Sequence, residues 1–239
     1  METLTPAERI FCAIDATDLN QAVELAQALK GAVGGFKLGK EFFTANGPDG
    51  VARISELGQH IFLDLKFHDI PNTVAGAIKA AKSLNCCMLT IHASGGSAMV
   101  RAAVEAKGDE EAPRILAVTV LTSLTADDLV RMGQKPPVAD QVLRLGQLAR
   151  ESGADGLVAS PREVGALRTA LGNDCLLVVP GIRPAWASTD DQKRIMTPAD
   201  AVNAGADFLV IGRPITQSDN PRAAADRIAD EIAAGIVPG

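Results

Sequence analysis

Short apolar runs alternate with longer amphipathic segments along the whole chain, and this alternation predicts the secondary structure. Apolar runs bounded by glycine or polar residues are typical of buried parallel strands, whereas apolar residues spaced three and four apart are typical of helices packed on a sheet. The predicted strands are residues 10–15, 35–39, 61–67, 88–93, 115–121, 156–159, 176–179 and 208–211. The predicted helices are residues 19–29, 40–57, 72–84, 97–106, 125–132, 139–151, 161–171, 198–204 and 223–234.

Eight strand-then-helix units in 239 residues predict a (β/α)8 TIM barrel that forms a single domain over residues 1–239. The alternative is a doubly wound open sheet. A dinucleotide-binding sheet of that kind would need a Gly-x-Gly-x-x-Gly turn after an early strand, and the sequence has none. The related texts at residues 152–155 and 204–207, Ser-Gly-Ala-Asp and Ala-Gly-Ala-Asp, indicate helices that end at a glycine, which is a structural role.

Composition and charge exclude several classes of partner. The net charge of −6 gives no basic face for nucleic acid or an anionic membrane, and one tryptophan with no tyrosine is too few aromatics for a base-stacking surface. No apolar run is long enough to span a membrane, and the first residues do not resemble a signal peptide. The four cysteines lack metal-ligand spacing, which predicts reduced, mostly buried thiols in a cytoplasmic protein.

Charged residues interrupt the third predicted strand. Asp64 and Lys66 are two apart, so a regular strand would place them on one face, and Asp69 follows just before Pro71, where a helix is expected to begin. Acids on both sides favour the charged ammonium of a lysine. Three charges in an apolar strand destabilise the fold unless they serve a function, so this stretch is the candidate centre of the chemistry. A buried ion-pair network that only fixes the fold is the alternative.

Residues 64–73, Asp-Leu-Lys-Phe-His-Asp-Ile-Pro-Asn-Thr, resemble the signature of the orotidine 5'-phosphate decarboxylase family. The resemblance implies decarboxylation of orotidine 5'-monophosphate to UMP, in pyrimidine biosynthesis, without a cofactor or metal. It implies that Lys66 donates a proton to C6 and that Asp64 faces the departing carboxylate. It also implies a homodimer in which Asp69 reaches the partner's site, and it assigns Thr73 to substrate binding.

Further candidates lie at other strand ends, because a barrel carries its chemistry at the carboxyl ends of its strands. By resemblance, Asp15 binds the ribose hydroxyls and Lys37 hydrogen-bonds Asp64, which extends an alternating chain of charges through Lys66 to Asp69. The resemblance also implies contacts from the strand 5 and strand 7 ends to the substrate, and a phosphate site closed by the loop over residues 183–192. These further residues are Thr122, Pro180, Arg183, Gln192, Gly212 and Arg213.

Several readings stay open at this point. Metal-dependent sugar-phosphate decarboxylases and aldol-type synthases of the same barrel need extra carboxylates for Mg2+, and carboxylates are scarce here. A Schiff-base lyase would need a neutral Lys66, and a non-catalytic phosphate-binding barrel would not need Asp64 beside it. Thr122 could instead cap the helix over residues 125–132, and Ser94 could cap the helix after strand 4. His92 is expected at the barrel mouth, and the other two histidines are expected to be structural.

Overall fold

Eight parallel strands pair in sequence order, and the last pairs with the first, so the sheet closes into a barrel. The computed structural model describes residues 4–187 and 196–235. The strands are β1 (Ile10–Ile14), β2 (Gly35–Gly39), β3 (His60–Phe67), β4 (Met88–His92), β5 (Arg114–Val118), β6 (Gly156–Val158), β7 (Leu176–Pro180) and β8 (Phe208–Ile211). The predicted TIM barrel is confirmed, and all eight strands lie where the apolar runs predict them.

Helices cover the outside of the barrel and follow each strand. Within the described residues they are α1 (Leu19–Ala28), α2 (Lys40–Ser55), α3 (Pro71–Ala81), α4 (Gly96–Lys107), α5 (Ala126–Arg131), α6 (Val138–Glu151), α7 (Val164–Leu171), α8 (Pro198–Asn203), α9 (Arg213–Thr216) and α10 (Pro221–Gly235). Single 3-10 turns occupy Lys82–Leu84, Ala93–Gly95 and Pro161–Glu163. None of these helices combines the length and apolar character that a membrane span requires.

Neither of the two helix caps considered from the sequence is formed. Thr125, not Thr122, caps α5, because its side chain accepts from the backbone of Asp128 while the Asp128 carboxylate accepts from the backbone of Thr125. Ser94 does not cap α4, which starts after Gly95 without a side-chain cap. Strand β5 ends at Val118 rather than at residue 121, so Thr122 lies in an exposed turn above the strand. This turn frees Thr122 for a role at the barrel mouth.

The barrel interior is filled by apolar side chains at its amino-terminal half. Phe11 meets Phe62 and Phe208 edge to face, with ring centroids 6.1 and 5.4 Å apart. Ala13, Met88, Leu116, Leu176, Val178 and Val210 pack around them. A second, larger core lies between the strands and the helices. One cavity, of about 350 Å3, borders Phe11, Met88 and Phe208 of this apolar cluster. A different cavity, which holds the charged strand-end residues, opens at the carboxyl ends of the strands.

Two aspartates fix the opposite end of the barrel. The Asp155 carboxylate accepts from the Ile115 backbone N–H at 2.7 Å and pairs with Lys107 at 2.9 Å. Asp207 makes the equivalent contacts, with a β7 backbone N–H and with Arg168, both at 2.7 Å. These are the aspartates of the two Gly-Ala-Asp texts. The prediction for these texts concerned their glycines, and it is confirmed because α6 and α8 end just before Gly153 and Gly205, which both have positive φ.

The four cysteines are all free thiols. Cys12, Cys86 and Cys175 are buried, and Cys87 is partly buried. Burial raises the pKa of Cys12 and of Cys87 to about 12 and that of Cys86 to about 11, so these thiols stay protonated at neutral pH. The prediction that the cysteines are mostly buried is confirmed, and none of these three thiols has the character of a nucleophile.

Candidate active site

A cavity of about 390 Å3 opens at the carboxyl ends of the strands. Apolar residues of the barrel interior, among them Phe62 and Val210, form part of its lining. Nine of the twelve site residues predicted from the sequence line it: Asp15, Lys37, Asp64, Lys66, Thr122, Pro180, Arg183, Gly212 and Arg213. The strand-end argument thus brings together residues that are as far as 198 positions apart in the sequence, from 15 to 213.

Alternating charges run along one wall of the cavity. The Lys37 ammonium lies 3.0 Å from Asp15 Oδ1 and 4.0 Å from Asp64 Oδ2, and the Lys66 ammonium lies 2.6 Å from the same Asp64 oxygen. The predicted Lys37–Asp64 hydrogen bond is wrong, because 4.0 Å is too long, and the lysine donates to Asp15 instead. Lys37 and Asp64 are only 8 and 9% exposed, so their charges interact strongly with each other.

The backbone at Lys66 departs from a regular strand. Its φ is +55°, in the left-handed region that residues other than glycine rarely adopt. The pairing of β3 with β4 also shifts register between Leu63 and Phe67. Lys66 and Asp64 do meet, as predicted, but the alternation of a regular strand is not the reason. Unusual backbone geometry of this kind clusters at functional sites.

Thr90 is a residue that sequence reasoning missed. Its hydroxyl donates to Asp64 Oδ1 at 2.9 Å and accepts the backbone N–H of Lys66 at 2.9 Å. Thr90 is fully buried in β4 and does not line the cavity. A threonine in an apolar strand fits its β propensity, so nothing marks it out alone. The available signal was that a buried hydroxyl needs a partner, and β4 is adjacent to the strand that carries Asp64.

The other wall of the cavity carries two arginines. Arg183 follows β7 and is 6% exposed, and its guanidinium donates to the Ile182 carbonyl at 3.0 Å. Arg213 is the first residue of α9, directly after β8 and Gly212. Two guanidinium groups beside one cavity favour a bound anion, and guanidinium matches the geometry of phosphate oxygens. The predicted Gln192 lies outside the described residues.

The stem of the loop after β7 carries Trp186. The guanidinium carbon of Arg227 lies 4.5 Å from the centroid of the indole ring. Trp186 also borders a second cavity of about 360 Å3, which it shares with Arg183 and Arg213. The indole and both arginines of the candidate anion site therefore border the same cavity.

Asp69 and Thr73 do not line the cavity of their own chain. Both are exposed, and Asp69 Oδ1 accepts from the backbone N–H of Ile70 at 2.6 Å. Ile70 is 66% exposed, which is unusual for a large aliphatic side chain between a strand end and a helix start. This exposed stretch leaves Asp69 out of the chain of charges that the sequence predicted.

His92 is the last residue of β4, at the carboxyl end of the barrel as expected, but it does not line the cavity. Its ring centroid is 5.3 Å from that of His68. Burial, and then the nearby His68, Lys40 and Lys66, lower the pKa of His92 to about 4, so the imidazole is neutral at pH 7. His92 thus adds no positive charge beside Lys66. In the part of the chain that the structure describes, no three His, Cys, Asp or Glu side chains are grouped to hold a metal ion.

Comparisons with known proteins agree with this geometry. The model of the family described as "Orotidine 5'-phosphate decarboxylase / HUMPS family" matches residues 8–228. The orotidine 5'-phosphate decarboxylase of Paramagnetospirillum magneticum is 55% identical over 229 residues, which are 93% of this chain and 97% of the relative. That of Geobacter sulfurreducens is 50% identical over 233 residues, 95% of this chain and 97% of the relative.

A solved structure extends the likeness to the fold. The crystal structure of orotidine 5'-phosphate decarboxylase from Lactobacillus acidophilus matches with a TM-score of 0.82 at 38% identity, and the match covers 93% of this chain and 98% of that one. The resemblance first drawn from residues 64–73 is therefore confirmed over nearly the whole length. This chain belongs to the orotidine 5'-phosphate decarboxylase family.

Proposed function

We propose that this chain decarboxylates orotidine 5'-monophosphate to UMP without a cofactor, with Lys66 as the proton donor. The observation that carries the proposal is the Asp64–Lys66 pair, 2.6 Å apart in a cavity that also holds two arginines. Family membership supports the reaction, and the carboxylate–ammonium pair supports a route in which the protein's own charges replace a cofactor. The enzyme is accordingly a carboxy-lyase.

The reaction leaves an electron pair on a ring carbon. The bond between C6 and its carboxylate breaks, CO2 departs, and the pair stays on C6 until a proton arrives. The Lys66 ammonium can stabilise that negative charge and then deliver a proton to C6, which completes UMP. Solvent returns the proton to the lysine. Asp64 would face the departing carboxylate, and Lys37 and Asp15 hold the opposite end of the charge chain.

The rest of the cavity suits the other parts of this substrate. Arg213 and Arg183 provide positive charge for the 5'-phosphate. Gly212 and Pro180 also line this cavity. Thr122 presents a hydroxyl at the mouth for the pyrimidine edge, and Asp15 is placed for the ribose hydroxyls. Binding energy from a phosphate remote from C6 can be used to position the ring against Lys66. Gln192 keeps its role on the phosphate as a prediction.

We also propose a homodimer in which Asp69 completes the partner's site. The support is the exposed stretch Asp69–Ile70 with Thr73 in the first turn of α3, none of which lines the cavity of its own chain. An exposed aliphatic side chain between two polar candidates fits an interface better than open solvent. In a two-fold interface this contribution is reciprocal. The free, largely buried thiols support a reducing compartment, which we propose is the cytoplasm.

The metal-dependent sugar-phosphate barrels remain the second candidate, because the matching family model covers more than the decarboxylase, as its description "Orotidine 5'-phosphate decarboxylase / HUMPS family" states. The carboxylates in the cavity lining are Asp15 and Asp64, and each contacts a lysine ammonium. Both carboxylates are therefore already paired with a positive charge, which leaves them less suited to bind Mg2+. That arrangement favours the nucleotide decarboxylase.

The deciding experiment follows the loss of absorbance of orotidine monophosphate, with and without EDTA. Turnover that survives the chelator is expected, and Lys66→Ala serves as the inactive control. Activity that is lost with EDTA and returns with Mg2+ would move the assignment to the metal-dependent enzymes. No turnover of orotidine monophosphate under either condition would refute the proposal.

A further inference from the structure

One buried hydroxyl connects the two central residues of the charged wall. Thr90 donates to Asp64 Oδ1 and accepts from the backbone N–H of Lys66, each at 2.9 Å. We infer that Thr90 is a positioning residue for the decarboxylation: it fixes the Asp64 carboxylate and the Lys66 backbone relative to each other. This inference rests on the proposed function, since it concerns how that function's proton donor is held.

The first half of the role concerns the Lys66 backbone. Strands β3 and β4 lose their regular register between Leu63 and Phe67, so Lys66 lies where the ladder is interrupted. Its φ of +55° turns the chain out of the strand conformation. The Thr90 hydroxyl accepts the N–H of this residue and so gives the partly buried amide a hydrogen-bond partner. The threonine side chain thus takes the place of a strand carbonyl at Lys66, the residue of β3 with a positive φ.

The second half concerns the Asp64 carboxylate. Its two oxygens have different partners: Oδ1 receives the Thr90 hydroxyl, and Oδ2 receives the Lys66 ammonium at 2.6 Å and faces Lys37 at 4.0 Å. A carboxylate held at Oδ1 cannot rotate freely, so Oδ2 keeps its place between the two ammonium groups. Loss of the Thr90 bond would leave Oδ1 unpaired in a site that is 9% exposed, and the carboxylate would turn to find another donor.

A hydroxyl suits this position because it donates and accepts through the same atom. Valine has nearly the shape of threonine but offers neither function, whereas serine retains both. The pair of substitutions therefore separates the hydrogen bonds from the packing of β4. Thr90 does not line the cavity, so a substitution at Thr90 changes none of the side chains that line it.

The expected effect falls on the chemical step. Misplacing a reacting group by about 1 Å can cost about a hundredfold in rate, so Thr90→Val should lower kcat by roughly 10- to 100-fold. The KM for orotidine monophosphate should change little, because the arginine end of the cavity is unaffected. Thr90→Ser should recover most of kcat. The pH dependence of kcat should also shift in Thr90→Val and return in Thr90→Ser, since the lysine would meet a differently oriented carboxylate.

Thr119, the residue directly after β5, provides a matched control. Thr119 is also buried, and its hydroxyl donates to the Val158 carbonyl at 3.1 Å and not to Asp64 or Lys66. Thr119→Val removes a hydroxyl of the same kind and should lower Tm without the loss in kcat. Both variants are measured for Tm, kcat and KM. If Thr90→Val does not fold, Thr90→Ala makes the same comparison in a smaller side chain.

Two results would overturn the inference. One is a Thr90→Val or Thr90→Ala enzyme with near-native kcat and pH profile. The other is an equal loss of kcat in the Thr90 and Thr119 variants that follows their loss of Tm. An inactive native enzyme would instead refute the proposed function, so the two failures are distinguishable.

Discussion

Mixing two inactive variants, Lys66→Ala and Asp69→Ala, should restore roughly a quarter of native activity if each chain supplies Asp69 to its partner's cavity. The structure motivates this test because Lys66 and Asp69 are only three positions apart in the sequence but have different surroundings. The Lys66 ammonium reaches Asp64 inside its own cavity, whereas Asp69 is exposed and bonds the Ile70 backbone outside it.

The magnitude follows from counting sites. Random exchange of equal amounts makes about half of the dimers mixed. In a mixed dimer, one cavity contains both substitutions, and the other combines an intact Lys66 from one chain with an intact Asp69 from the other. About half of the sites in mixed dimers are therefore whole, which gives about a quarter of the native sites in total. The restored sites should have native KM, because nothing in them is changed.

The assay is orotidine monophosphate turnover before and after subunit exchange, with the exchange verified by a size tag on one variant. The control mixture is Lys66→Ala with Asp64→Ala. Those residues contact each other within one chain, so every cavity keeps a defect and no activity should return. An active control would point to contaminating native enzyme.

A first mixture that stays inactive after verified exchange would refute the shared site. Asp69 would then act within its own chain, or only on folding. A protein that remains monomeric at all concentrations tested would refute the dimer itself, and with it the reciprocal contribution of Asp69.

Three further predictions test other parts of the site. Lys66→Ala should lower kcat by roughly a thousandfold while UMP still binds, and Lys66→Arg should not restore it, because guanidinium does not release its proton; near-native kcat in either variant would contradict the proton-donor role. Arg213→Ala should weaken UMP roughly 10- to 100-fold and uridine little, as calorimetry can show, whereas equal losses would indicate a defect of the fold. Because the pKa of His92 is lowered from 6.5 to about 4, the unfolded chain binds a proton between these values that the folded chain does not, so Tm should fall as pH drops through that range. His92→Asn should flatten this part of the curve, and an unchanged slope would contradict it.

The fold could be predicted from the sequence because each strand is a short apolar run, whereas the apolar residues of each helix are spaced three and four apart. Element ends were less predictable, since they depend on local hydrogen bonds. Residues 121–125 include three hydroxyl side chains, those of Thr122, Ser123 and Thr125. Only the reciprocal hydrogen bonds between Thr125 and Asp128 decide which of them caps α5. Residues 121–123 then form a turn, where the apolar pattern had predicted more strand.

The site was predictable as far as strand ends determine it. Asp15 and Arg213 meet in one cavity because parallel strands carry their carboxyl ends to the same side. The details at β3 were not predictable, because a left-handed Lys66 and a shifted register leave no mark in an apolar pattern of period two. Thr90 was missed for the same reason: its importance comes from a partner 26 positions away, not from its own surroundings in the sequence.

Trp186 has a consequence for how this enzyme can be observed. The chain has one tryptophan and no tyrosine, so its ultraviolet emission comes from a single indole. That indole contacts Arg227 and borders a cavity shared with Arg183 and Arg213. An anion that settles between those arginines changes the electric field at the ring and hence its emission. Occupancy of the arginine end can thus be followed optically in the unlabelled protein, even in variants that no longer turn over substrate.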